Sequence, residues 1–219
     1  MADRWATFDC YGTLIDWNLG IRTELARIFG DDEANRLLAR YHELEPRIEA
    51  ERPTMAYRDV MASALARLAA EEGVDLADAE TDALGRSLPS WPPFPEVPQA
   101  LADARERGWS LAILSNTDRD LIDASMERIG VPFELAIVAS EIGSYKPAHR
   151  HWEAFSERTG ADPSRHVHVA ASLYHDIRPT AELGVPSIWI NRLDEVSDLH
   201  RARELPHLHR LPEALDDLV

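Results

Sequence analysis

Residues 8–16 read FDCYGTLID, with the carboxylate Asp9 set directly after an apolar run and followed at once by a turn sequence. Three further polar groups recur downstream in similar settings: Ser115-Asn116 in LSNTD, Lys146 in YKPAHRHW and Asp176 in SLYHD. Lys146 lies 31 residues after Ser115, and Asp176 lies 30 after Lys146. Each interval matches one strand and one helix, about 30 residues. Two carboxylates, an ammonium and a hydroxyl-amide pair, brought to one crevice, suit covalent chemistry on an anion. Tyr11 stands where a second acid would suit metal chemistry. Its unperturbed pKa, about 10, leaves it unable to do acid/base work near neutral pH.

These groups need a scaffold that places them together. Five strand-length apolar runs bounded by polar or turn residues are present: WATF (5–8), SLAIL (110–114), LAIVA (135–139), HVHVAA (166–171) and SIWI (187–190). Helical patterns over 98–107, 119–129, 149–159 and 177–183 separate the later runs, and each ends at a glycine. Strands alternating with helices predict a parallel sheet with right-handed crossovers. In such sheets ligands bind outside the carboxyl ends of the strands, where the four polar groups fall. Residues 17–90 break the rhythm. They read as helix over 18–29, 31–52 (kinked at Pro46), 57–70 and 77–88, and the proline-rich SWPPFPEVP (90–98) then forms a stiff return. A sheet core of 1–16 and 91–219 with a helical insert over 17–90 is expected. After Asn191 the chain reads as charged and irregular, with a last helix over 211–218.

Composition bounds the partners. The net charge is −16 over 219 residues, which opposes nucleic acid and anionic membrane. No apolar stretch approaches the roughly 18 residues of a membrane span, and MADRWATFDC lacks the apolar region of a signal peptide. Cys10 is the sole cysteine, so no internal disulfide can form, and a reducing, cytoplasmic location is expected. No Cys/His cluster suggests zinc.

Taken in order, DCYGT, LSNTD, YKPAHRHW and SLYHD resemble the four motifs of the haloacid dehalogenase superfamily, and the helical insert resembles its first cap class. The resemblance spans nearly the whole chain and implies a Rossmann-like α/β core with an α-helical cap. Asp-x-Tyr-Gly-Thr is similar to the first motif of the metal-independent (S)-2-haloacid dehalogenases; the phosphatases of the superfamily carry a second Asp at the Tyr11 position. A halide leaves without a proton, so no second acid is needed. The implied substrate is a small 2-haloacid anion, with no cofactor and no metal. Asp9 would displace halide and form an aspartyl ester that water then hydrolyses. Lys146 and Asp176 complete the catalytic set. Tyr11, Thr13, Ser115, Asn116, Trp152, Ser172 and His175 would contact substrate or the hydrolytic water. Arg40, in RYHELE, aligns with the arginine that holds the substrate and the departing halide. A homodimer is the common assembly among such relatives.

The fourth motif departs from the dehalogenase pattern. The family's Ser falls at Ala171, its Asn at Leu173, and its Tyr after the lysine motif at Trp152. Leu173 cannot hydrogen-bond a water, so His175 or Tyr174 becomes a candidate for the hydrolytic step, or the substrate differs. Plainer readings exist for several positions. Asp176 could cap a helix starting near Ile177, Ser115-Asn116 could be a turn pair, and Arg40 could belong to a salt-bridged outer stripe with Arg36, Glu43 and Arg47. His166 and His168 alternate with valines and read as structural. Rival functions are a Mg²⁺-dependent phosphatase, a hydrolase of another carbon–heteroatom bond on a small carboxylic acid, and a non-catalytic binding protein of the same fold.

Overall fold

Strand β1 (Arg4–Phe8) is short and apolar because it is paired on both edges and covered on both faces. A computed structural model describes residues 4–219; the first three residues of the core segment expected over 1–16 lie outside it. Around β1 stand β2 (Trp109–Ser115), β3 (Leu135–Val138), β4 (His166–Ala170), β5 (Ser187–Ile190) and β6 (Arg203–Leu205). All pair in parallel, in the order β3-β2-β1-β4-β5-β6. That order reverses direction between β1 and β4, and a crevice opens at such a switch point beyond the strand ends. The sixth strand was not expected from sequence. Its residues Arg203 and Glu204 are exposed at the sheet edge, where backbone pairing with β5 suffices and no apolar pattern is required.

Between β1 and β2 come α1 (Trp17–Phe29), α2 (Asp31–Glu51), α3 (Tyr57–Glu72), the short α4 (Ala83–Ser87) and α5 (Val97–Glu106). The first four pack on one another as a helical layer, and α5 lies on the sheet. The α2 helix runs on through Pro46. The helix expected over 77–88 is instead a 3₁₀ turn at Asp78–Glu80, then α4, then a second 3₁₀ turn at Leu88–Ser90. Pro89 has no amide proton to continue an α-helical ladder. Downstream lie α6 (Arg119–Ile129), α7 (Ala139–Ile142), α8 (Arg150–Thr159), α9 (Arg178–Leu183) and α10 (Leu211–Asp216).

The strand alternation divides the sheet into two faces. Ala6, Phe8, Leu111, Ile113, Val167 and Val169 pack in the larger core with residues of α5, α6 and α10. Ala112, Leu114 and Ile137 face the other way, onto Trp152 and Phe155 of α8. Thr7 is in register with Ala112 and His168, and so shares that second face. A polar pair at this position places hydrogen-bonding groups beneath the crevice.

Asp16 caps α1, accepting from Leu19 N at 3.0 Å. One turn in, Gly20 lies against the Trp91 indole so closely that a Cβ would overlap the ring. Trp91 is buried and donates to Ser87 Oγ at 3.1 Å, so it is held in place. Exchanging Gly for Ala within a helix ordinarily stabilises by about 1 kcal/mol. Here Gly20→Ala is expected to destabilise by about 1–3 kcal/mol through overpacking, measured as a lower urea midpoint at unchanged m-value.

Candidate active site

Asp9 is the first residue past β1 and Ser115 the last of β2. The chain after Asp9 reverses tightly: Leu14 and Ile15 donate to Cys10 O at 2.7 and 3.0 Å, and Gly12 N donates to Ile15 O at 2.9 Å. Gly12 sits at φ +90°, a region that disfavours any residue with a Cβ. The turn folds Thr13 back beneath Asp9. Thr13 Oγ1 donates to Asp9 Oδ2 at 2.7 Å and accepts from Ala171 N at 2.9 Å, so one hydroxyl ties the first loop to the fourth. Arg192 reinforces the turn, donating to Thr13 O at 2.9 Å while pairing with Glu96 at 2.8 Å.

Lys146 reaches the same point from the loop after α7. Its Nζ donates to Asp9 Oδ1 at 2.9 Å, Asp176 Oδ1 at 2.7 Å and Leu114 O at 2.9 Å, which uses all three ammonium protons. Only 1% of the residue is exposed. Burial would lower the Lys146 pKa, but Asp176 and Asp9 outweigh it and raise it, so the ammonium stays charged. Asn116 fixes the lysine's backbone: its Oδ1 accepts from Lys146 N at 2.6 Å and its Nδ2 donates to Lys146 O at 3.0 Å. The Asn116 side chain therefore positions Lys146, and only its backbone remains to serve a ligand.

Asp176 lies in a π-helical turn (Leu173–Ile177) that precedes α9. Ser172, not Asp176, caps this turn, accepting from His175 N at 3.0 Å. Asp176 is fully buried. Burial pushes its carboxyl up, but Lys146 and His168 outweigh burial and hold it well below the usual carboxylate range. Its Oδ1 is shared by Lys146 and by His168 Nε2 at 3.0 Å, whereas Oδ2 is buried with no partner. An ionised Asp176 only accepts, so His168 Nε2 donates to it. His168 Nδ1 and His166 Nε2 each lie 2.8 Å from the Thr7 hydroxyl, which joins the two rings. Burial, then the neighbouring His168, pushes His166 down to about 3, so it is neutral. The alternation of His166 and His168 thus contains a direct contact to Asp176 that a purely structural reading of these histidines misses.

A cavity of about 820 Å³ opens above Asp9, Ser115, Asn116, Lys146 and Asp176. Tyr11, Ser172, Tyr174 and His175 also line it. Tyr11 turns its hydroxyl to Ser125 on α6 at 3.1 Å and lays its ring parallel to Tyr57, with centroids 6.1 Å apart. Burial pushes its phenol further up, away from acid/base use. Three sequence expectations need correction. Thr13 is buried beneath Asp9 and does not line the cavity, and its hydroxyl holds the carboxylate. Trp152 is turned by α8 onto the sheet, against the Leu114 cluster and the His168 ring at 5.3 Å. Arg40 does not line the cavity either. Glu71 takes its Nε and Nη2, and Glu43 takes Nη1 at 2.6 Å, which is the salt-bridged stripe.

Sequence reasoning also missed the cavity's upper wall. Glu45 and Glu49 of α2 and Tyr57 of α3 line it and are buried. Glu45 Oε1 accepts from Tyr57 Oη at 2.7 Å and Tyr41 Oη at 3.3 Å. Burial and then Glu49 push Glu45 up to about 8, although Tyr57, His175 and Tyr41 pull the other way. Glu49 Oε2 lies 3.3 Å from Asn116 Nδ2 and 3.4 Å from His175 Nε2. Burial lowers the His175 pKa, but Glu49 outweighs it and raises it. The i,i+4 spacing of Glu45 and Glu49, one turn after the stripe that carries Arg40, is the only trace of this wall in the sequence.

Lys146→Met keeps most of the buried stem and removes the charge, leaving Asp9 and Asp176 to repel with no cation between them. It is expected to destabilise by about 3–5 kcal/mol near neutral pH, as for loss of one partner of a buried pair. Denaturant titration checks this. The deficit should narrow as pH falls and the carboxylates take up protons.

Comparison with known proteins fits this geometry. An (S)-2-haloacid dehalogenase of Pseudomonas sp. (strain YL) is 34% identical over 106 residues, 48% of this chain and 45% of that protein, so the match spans less than half of the relative. The (S)-2-haloacid dehalogenase 1 of Pseudomonas sp. (strain CBS-3) is 27% identical over 222 residues, covering 97% of this chain and 96% of the relative. Curated phosphatases match over part of their lengths as well. A solved L-2-haloacid dehalogenase structure superposes with a TM-score of 0.88 over 99% of this chain and 100% of that one, at 21% identity, a likeness of fold. The family profile described as haloacid dehalogenase-like hydrolase matches residues 4–184. The chain is a member of the haloacid dehalogenase-like hydrolase family.

Proposed function

We propose that the protein hydrolyses a carbon–halogen bond next to a carboxylate, through an ester formed on Asp9. The observation that carries this reading is the setting of Asp9: fixed by Lys146 and Thr13 at the floor of a cavity, with a tyrosine engaged elsewhere where a proton donor would stand. An Asp9 oxygen attacks the halogen-bearing carbon as the carbon–halogen bond breaks, and halide leaves with the electron pair. Lys146 keeps Asp9 ionised and in one rotamer, so the nucleophile is aligned before substrate arrives. Ser115 Oγ, buried and without a partner, and the Asn116 backbone receive the substrate carboxylate. Water then attacks the ester carbonyl of Asp9; the acyl–oxygen bond breaks and the hydroxy acid departs. The free Oδ2 of Asp176 is the acceptor for that water, and His175 is a second candidate. The segment 17–90 acts as a cap that roofs the cavity, the substrate is a small anion, and a homodimer in the cytoplasm is the working assembly.

The phosphatase rival needs Mg²⁺ held by oxygen ligands. Both Asp9 oxygens already accept hydrogen bonds, Asp176 Oδ1 accepts two, and neutral Ala171 and Tyr11 stand where further acids would be. The donor set fits a divalent cation poorly, and no step is assigned to one. Halide release from a panel of 2-haloacids is expected to proceed equally with and without chelator. Asp9→Asn should lower it by about 10³-fold or more, since a neutral amide is a far poorer nucleophile. Turnover that chelator abolishes and Mg²⁺ restores, on a chromogenic phosphate ester, would assign the phosphatase activity instead.

A further inference from the structure

The first turn of α3 is capped from outside its own segment. A helix start leaves backbone amides without partners, and Ala56, at the position that would cap α3, has no side-chain oxygen. The acceptor comes from the loop after β2. Asp118 Oδ1 accepts from Tyr57 N and Asp118 Oδ2 from Arg58 N, both at 3.0 Å, across 61 and 60 residues of chain. Asp118 itself stands at the N-cap position of α6, where an Asp ordinarily serves its own helix. Among the described residues it makes no such bond, so the carboxylate is given to α3 instead. It is buried, at 6% exposure, and the Arg58 guanidinium lies 3.5 Å from Oδ2. A carboxylate across the positive end of a helix is favourable.

The neighbouring loop grips the same place. Tyr145, the residue before Lys146, donates from Oη to Met55 O at 2.7 Å, in the turn between α2 and α3. The two loops that carry Ser115 and Lys146 thus both hold residues 55–58. The chain enters and leaves the helical layer through two crossings that run side by side: Asp16 N donates to Pro92 O at 2.9 Å, and Phe94 N to Leu14 O at 3.0 Å. Paired crossings leave rotation about their own line free, as at a hinge, and the contact at 55–58 is a second point of attachment that opposes it. Tyr57 carries that attachment into the cavity. Its amide is held by Asp118, its ring lies parallel to Tyr11, and its hydroxyl accepts from Trp17 Nε1 at 3.2 Å and donates to Glu45. Asp118 does not line the cavity.

We propose that Asp118 is a positioning residue that latches the helical layer onto the core, setting the Tyr57 wall above Asp9 without touching substrate. This rests on the reading of the cavity as the site of hydrolysis, and it adds what holds that cavity together. An undocked layer lacks the completed cavity, so substrate affinity falls with the docked fraction. A molecule that has bound substrate is docked, and turns over as before.

The test compares Asp118→Ala, which removes both acceptors, with Asp118→Asn, which keeps one. Asp118→Ala is expected to raise KM for a 2-haloacid about tenfold, the scale of one lost charge-assisted hydrogen bond, with kcat changed less than about twofold. Asp118→Asn should fall between. A loss of stability alone would lower kcat per mole of protein and leave KM unchanged, and that result overturns the proposal. Docking is read independently of activity by spin labels at Ala66→Cys on α3 and Ser156→Cys on α8, both exposed positions, with the buried Cys10 unlabelled. The parent should give one narrow distance, and Asp118→Ala a broader distribution that extends to longer distances. An unchanged distribution overturns the latch. If no 2-haloacid releases halide, the Asp9 reading fails, and the distance distribution alone decides the latch. If Asp118→Ala does not fold, Asp118→Asn and Tyr145→Phe, which loses the Met55 contact, carry the same comparison.

Discussion

Lys146 Nζ, with Asp9 Oδ1 at 2.9 Å, Asp176 Oδ1 at 2.7 Å and Leu114 O at 2.9 Å, joins three loops that are far apart in sequence. A buried ammonium with all its protons spent on two carboxylates and a carbonyl is tolerated only if that geometry is held closely. Much of the surrounding structure does this. Asn116 clamps the lysine backbone from both sides, Thr13 takes the second oxygen of Asp9, and His168 takes a share of Asp176. The parallel sheet makes the convergence possible, since β1, β2 and β4 end side by side and release their chains at one edge.

The polar chain His166–Thr7–His168–Asp176 shows how the sheet interior serves the crevice. These side chains occupy a face otherwise packed with Ala112, Leu114 and Trp152. Their hydrogen bonds link the His166 ring through Thr7 and His168 to Asp176 Oδ1. The buried setting strengthens each of these hydrogen bonds. Its effect is to orient Asp176 so that one oxygen serves Lys146 and the other remains free.

Much of this was legible in the sequence, and the physical reason is periodicity. A strand-helix repeat of about 30 residues fixes which polar residues reach the carboxyl ends, so Asp9, Ser115, Lys146 and Asp176 could be named from spacing and apolar runs. What failed was the facing of single side chains on helices. Arg40 and Glu45 lie five positions apart on α2, and sequence does not say which stripe turns inward; Leu37, Tyr41, Leu44 and Ile48 decide that through packing. Trp152 followed the apolar demand of the sheet for the same reason. Strand β6 was illegible because an exposed edge strand needs no apolar pattern. His168 was legible as a strand residue, but its partner, eight positions later in a π-helical turn, was not.

The central claim is that Asp9 itself bonds to the substrate carbon. A general base at Asp9 would instead deprotonate a water that displaces halide in one step. Both routes invert the carbon, so stereochemistry does not separate them. A single turnover with enzyme in excess in ¹⁸O-water does. The covalent route predicts unlabelled hydroxy acid in the first turnover and ¹⁸O retained in the Asp9 side chain, read by mass spectrometry of the peptide that contains it. Labelled product in the first turnover, with no ¹⁸O in Asp9, would contradict it.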